Sequence, residues 1–255
     1  MSKIAVVFVV ASVSGVSFAF AAEGPGEKLL AAYPGFVDRI EGGDLVMKSG
    51  LRLKIDDGRR KTFEQRLADP DLADMFADPY PAPGSAATAP GRDVDPGRYR
   101  SGAFFDAIYG DCRKGGVRKN LVRVPWVPKW GGGSVVFSSR AGAAEALAAV
   151  SKELEAGPPE WKKFLVPSAG TYNCRVIAGT DRVSAHGWGI AIDVATKYSD
   201  YWYWSDPTGR KVAFENRVPA EIAAVFERHG FVWGARWYHY DTMHFEFRPE
   251  MLRRD

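Results

Sequence analysis

The chain has 255 residues, of which 46% are hydrophobic and 25% charged, with a formal net charge of +3. That is enough apolar material for one sizeable core, or for a main domain with a smaller appendage, and it does not suggest an all-helical, repeat or low-complexity architecture. The cations are scattered in short runs such as Arg113-Lys114 and Arg118-Lys119, so the concentrated basic face that nucleic-acid binding requires is missing.

Residues 1–21 read as a secretory signal peptide. One early cation, an apolar run from Ile4 to Phe20 and the small-x-small site Ala19-Phe20-Ala21 place cleavage after Ala21. As a membrane anchor the run, roughly 17 residues, only just reaches the length that spans a bilayer, and no basic stop-transfer sequence follows. The mature chain is therefore expected to be periplasmic or secreted, with no stable membrane span.

Residues 22–94 read as a small mixed N-terminal region closed by a linker. Asp44–Lys48 and Leu51–Ile55 alternate in character around Ser49-Gly50, which predicts a hairpin. A short helix follows over Thr62–Ala68, before Asp69-Pro70. Residues 79–91 hold four prolines and two glycines, which exclude a helix or a central strand and predict a loop.

Residues 95–255 form the denser part. Leu121–Val124 and Ser134–Phe137 read as strands, and Ala141–Glu155 as a helix with an apolar stripe at Ala144, Leu147, Val150 and Leu154. A second helix runs over Pro219–His229 with Ile222, Val225 and Phe226 on one face and Gly230 to stop it. Short strands are predicted over 191–195, 231–233 and 243–247. Helices mixed with short strands, without a βαβ rhythm, predict an α+β fold. Cys112 and Cys174 are an even pair, and in an oxidising compartment they suggest one disulfide. Free thiols or metal ligands are the other reading, and spacing alone does not choose.

Two polar-aromatic segments carry the chemistry: Ser184-Ala-His186-Gly-Trp-Gly-Ile-Ala-Ile-Asp193 and Asp241-Thr-Met-His244-Phe-Glu-Phe-Arg248. Catalytic zinc takes three protein ligands and keeps one position open for water. His186, Asp193 and His244 could supply two imidazoles and a carboxylate. In a fully extended chain His186 and Asp193 would face opposite ways, so the loop bearing Gly187 and Gly189 must turn His186 back. Likewise a turn at Thr242 must bring Asp241 round to His244. A buried carboxylate is costly unless paired or metal-bound, which favours the metal reading of Asp193 over a turn cap.

Ser184-x-His186-x-x-Gly189-x-Ala191-x-Asp193, followed by Asp241-x-x-His244, resembles the zinc site of VanY-type D-alanyl-D-alanine carboxypeptidases and dipeptidases. That family includes phage endolysin peptidases and shares its fold with the zinc domain of hedgehog proteins. The likeness runs from about Asp95 to Arg248 and is strongest after Tyr172. It implies a small antiparallel sheet with flanking helices, and one zinc ion on His186, Asp193 and His244. It also implies Asp241 as general base and acid, and an upstream arginine at the oxyanion. Arg175 fits that role best and Arg182 competes. Ser184 resembles a substrate-contacting serine, or is a turn hydroxyl. Many members carry Glu where Asp241 stands; Asp resembles the endolysin branch.

The expected activity is zinc-dependent hydrolysis of peptidoglycan stem peptides, with removal of a terminal D-alanine preferred. An endolysin-type endopeptidase and a non-catalytic cell-wall binding module are the alternatives. Among neighbouring residues, His239 reads as a cleft or loop residue and His229 as a helix-end cation. Glu246 either orients His244 or is an exposed strand charge. Tyr198–Trp204 forms an aromatic wall or packs on the core. Ser184 lies in no Gly-x-Ser-x-Gly elbow, which argues against a serine hydrolase.

Overall fold

The computed structural model describes residues 23–177, 179–208 and 212–252. The signal-peptide reading of residues 1–21 lies outside the described residues.

The chain begins with α1 (Pro25–Ala32), where proline occupies the first turn, whose amide has no helical partner in any case. Strands β1 (Val37–Glu41), β2 (Asp44–Met47) and β3 (Arg52–Lys54) form an antiparallel sheet in that order. The β2–β3 pairing is the hairpin predicted around Ser49-Gly50, with Leu45 opposite Leu53. Helix α2 (Phe63–Ala68) starts on a reciprocal cap. Thr62 Oγ1 accepts from the Gln65 amide at 3.3 Å, and the Gln65 side chain accepts from the Thr62 amide at 2.9 Å.

The proline-rich segment has neither helix nor strand. It is pinned to the C-terminal part: Tyr80 Oη and the Gly84 amide both donate to Glu227, and Arg236 donates to the carbonyls of Ser85 and Ala86. Next come α3 (Gly102–Tyr109), the antiparallel pair β4 (Leu121–Pro125) and β5 (Ser134–Ser138), α4 (Ala143–Leu154) and the single-turn α5 (Lys162–Leu165). Helix α4 starts two residues later than the predicted Ala141, because Ala141 and Gly142 take positive φ values of 55° and 79° and leave the helical path.

The last part holds β6 (Ala191–Asp193), α6 (Trp202–Ser205), α7 (Ala220–Arg228), β7 (Phe231–Trp233), β8 (His244–Phe247) and α8 (Pro249–Leu252). The three strands form an antiparallel sheet in the order β6-β8-β7. The architecture is α+β, with small antiparallel sheets flanked by helices, as the sequence predicts.

One apolar cluster runs from Leu29 and Tyr33 through Phe104, Leu147 and Phe226 to Phe245. Its centre is a stack of Phe226 on Phe245, with ring centroids 3.8 Å apart. Tyr33 Oη donates to Glu250 at 2.7 Å, tying α1 to α8. Cys112 and Cys174 form a disulfide with a Cα separation of 5.7 Å, joining the segment after α3 to the residue before Arg175. Among the described residues no helix is long and apolar enough to cross a membrane.

Candidate metal centre

Asp193 and His244 lie opposite each other at the β6–β8 register, so their side chains share one face. His186 reaches the same point from a 3-10 turn over Ala185–Trp188. That turn is closed by Gly189 at φ 69°, a left-handed conformation open to glycine at no steric cost. This supplies the reversal that the extended spacing requires.

His186 Nε2 stands 3.2 Å from His244 Nδ1 and 3.2 Å from Asp193 Oδ2, and His244 Nδ1 stands 3.0 Å from Asp193 Oδ1. Both rings have their other nitrogen engaged. His186 Nδ1 meets the Thr171 carbonyl, which can only accept, and His244 Nε2 is 3.1 Å from Glu246 Oε2. With protons on those outer nitrogens, the inner Nε2 and Nδ1 would turn lone pairs, together with the Asp193 carboxylate, toward a bound cation; in its absence a proton on His244 Nδ1 takes that place. Such an arrangement needs a cation at its focus. The donor set, two imidazoles and one carboxylate, suits a catalytic divalent metal.

The electrostatics follow from this crowding. Burial works against the Asp193 carboxylate, but hydrogen bonds and charge from both histidines hold its pKa well below the usual range. Burial would also lower His244, yet Asp193 and Glu246 together push it up to about 10. Glu246 is fully buried; Arg100 Nε donates to it at 2.9 Å and Arg248 Nη1 at 3.0 Å. It is no exposed strand charge, and it holds the outer edge of the His244 ring.

Asp241 lines the same cleft, of about 660 Å³, with the three residues above. A turn over 242–243 precedes β8, and the His244 amide donates to the Asp241 carbonyl at 3.1 Å. Gly234 makes room for it: a Cβ there would stand 2.3 Å from the Asp241 carbonyl oxygen. Asp241 Oδ1 is buried with no hydrogen-bond partner among the described residues. Burial, reinforced by the Asp193 charge, raises the Asp241 carboxyl to about 6, where it can exchange a proton near neutrality.

Ser184, Arg175 and Arg182 also line the cleft. Ser184 is buried, and its amide donates to the Arg175 carbonyl at 3.1 Å. Arg175 is exposed at the rim and Arg182 is half-buried. Burial, with the like charges of Arg100 and Arg98, draws Arg182 down to about 10. His229 lies apart from this site, pairing with Glu153 at 2.7 Å beyond the end of α7. His239 lies in the cleft; Asp95 holds its Nδ1 at 3.0 Å, and its ring stacks on Phe63 and meets Trp202 edge-on. Within the aromatic run, Tyr201, Trp202 and Tyr203 line the cleft.

Sequence reasoning did not single out Asp95, Arg98, Arg100 or the Thr171 carbonyl. Asp95 and Arg100 act through partners 144 and 146 residues away, which no local motif records.

Residues 178–247 match the sequence model of a family described as D-alanyl-D-alanine carboxypeptidase. Over this segment, about a quarter of the chain, the sequence is similar to that family. The match takes in His186, Asp193, Asp241 and His244, and it supports a peptidase of the D-alanyl-D-alanine carboxypeptidase kind. Comparison with curated proteins and with solved structures found no match.

Proposed function

We propose that the mature chain is an exported zinc peptidase that hydrolyses peptidoglycan stem peptides, removing a terminal D-alanine in preference to cutting within the peptide. The observation that carries this reading is the convergence of His186 Nε2, His244 Nδ1 and the Asp193 carboxylate, each within 3.2 Å of the others, beside the unpartnered carboxyl of Asp241. Disulfide-bonded Cys112 and Cys174 accord with a compartment outside the cytoplasm.

In this reading His186, Asp193 and His244 hold one zinc ion, which when bound would acidify a water and polarise the scissile carbonyl. Asp241 takes the proton of the attacking water. It then returns that proton to the leaving amine as the C–N bond breaks, so each turnover leaves it as it began. Its raised pKa suits both halves of the exchange. Arg175, at the cleft rim, faces the negative charge that develops on the carbonyl oxygen; loss of one such group typically costs about 3–4 kcal/mol of barrier. Glu246 and the Thr171 carbonyl keep the two imidazoles in the tautomers that metal binding needs.

A non-catalytic binding module requires neither Asp241 nor Arg175. The two readings separate on purified mature protein: about one zinc per chain, with turnover lost in chelator, is expected. The Asp241→Ala variant should retain zinc and lose cleavage. Wild-type cleavage by that variant would remove Asp241 from the mechanism.

A further inference from the structure

Arg100, Gly179, Thr180 and Arg182 line the metal cleft and also a second cavity of about 660 Å³. The two hollows therefore adjoin along a shared wall. Each alone lies within the roughly 300–1,000 Å³ range of pockets that enclose an organic ligand. The second is walled by the N-terminal region, through Glu64, Leu67 and Ala68 of α2, and by the start of α3.

The charges around this junction are unequally satisfied. Glu64 accepts from Thr62, Asp69 pairs with Arg59, and Asp106 accepts from the Trp188 indole. On the metal side Asp95 holds Arg98 and His239, and Glu246 holds Arg100. Among the described residues no carboxylate lies within ion-pair distance of Arg182. A half-buried guanidinium beside two further arginines, without a counter-charge of its own, is an unfavourable arrangement that an anionic ligand relieves. The planar fork of arginine matches a carboxylate with two parallel hydrogen bonds.

We propose that Arg182 is the receptor for a carboxylate of the peptide substrate, held where the two cavities adjoin, and that, where this carboxylate is an acidic side chain, the rest of the peptide runs on into the second cavity against α2. This rests on the peptidase reading above. It leaves the oxyanion to Arg175 and, in the side-chain case, gives the N-terminal region a part in choosing long substrates over dipeptides. The carboxylate is either the peptide's C-terminus or an acidic side chain.

Binding can be read apart from turnover. Zinc-loaded Asp241→Asn protein is titrated with a synthetic pentapeptide that ends in D-alanyl-D-alanine and carries one glutamate. The signal is tryptophan fluorescence, since Trp202 and Trp237 line the cleft. Two further peptides carry a terminal carboxamide or a side-chain carboxamide. One of the two amides should bind about 10- to 100-fold more weakly than the parent, and which one identifies the source of the carboxylate. Adding Arg182→Gln should weaken the parent by a similar factor without weakening that amide further, and Arg182→Lys should recover part of the loss. Equal weakening of all three peptides by Arg182→Gln, or none, overturns the assignment. Where the side-chain amide is the weak one, Ala68→Trp should weaken the pentapeptide but spare the D-alanyl-D-alanine dipeptide; an equal effect on both, or none, overturns the second cavity's role. Selective binding by a wild-type protein that never cleaves would sink the peptidase reading alone.

Discussion

Asp241→Asn should make the metal-free protein more stable while abolishing turnover. The Asp241 carboxyl is raised from 3.8 to about 6 by burial and by the neighbouring Asp193 charge, and its Oδ1 has no partner among the described residues. The rise corresponds to about 3 kcal/mol by which folding disfavours the carboxylate, an upper bound because the cleft admits water. The folded-state pKa lies above the unfolded one, so the penalty is full above about pH 6 and fades as the pH falls toward 4. The uncharged amide escapes it. Thermal unfolding of chelator-treated wild type and variant at pH 7.5 should show the variant higher, at about 2–4 °C per kcal/mol for a chain of this size. At pH 4.5 the gap should shrink. Zinc-loaded, the same variant should lose about 10²- to 10⁴-fold in kcat. A variant that melts lower than wild type at pH 7.5, or turns over normally, refutes the reasoning, because a residue serving only structure behaves in that way.

Three other perturbations follow from the same geometry. Replacing Glu246 by Gln removes the charge that orients His244 and should weaken zinc binding about 10- to 100-fold, measured by competition with a chromogenic chelator. Gly234→Ala puts a methyl group 2.3 Å from the Asp241 carbonyl oxygen, so kcat should fall while bound zinc, counted by atomic absorption, stays near one. Serine at both Cys112 and Cys174 opens a link between residues 62 apart; it should cost about 4 kcal/mol in urea denaturation and lower kcat, since Arg175 follows Cys174 directly.

What the sequence made legible is what local chemistry encodes. The hairpin at Ser49-Gly50, the short helix α2, the apolar face of α4 and the strand β7 all depend on residues a few positions apart. The convergence of His186, Asp193 and His244 was legible from their donor types and from glycines 187 and 189, which marked the turn. Helix α3 escaped notice because it is apolar nearly all round: Phe104, Phe105, Ile108 and Tyr109 are buried, and no stripe stands out. Helix α1 is only eight residues long. The network of Asp95, Arg98 and Arg100 was invisible for a different reason. Its members are ordinary charges until folding brings His239 and Glu246 beside them. The Thr171 carbonyl, which fixes the His186 tautomer, is a backbone group with no sequence signature at all.

The account stands most directly on mass spectrometry of purified muropeptides after incubation with the zinc-loaded mature protein. It predicts new stem peptides lighter by one alanine residue, absent when a chelator is added and restored by zinc. An unchanged muropeptide profile with the zinc site filled would contradict it.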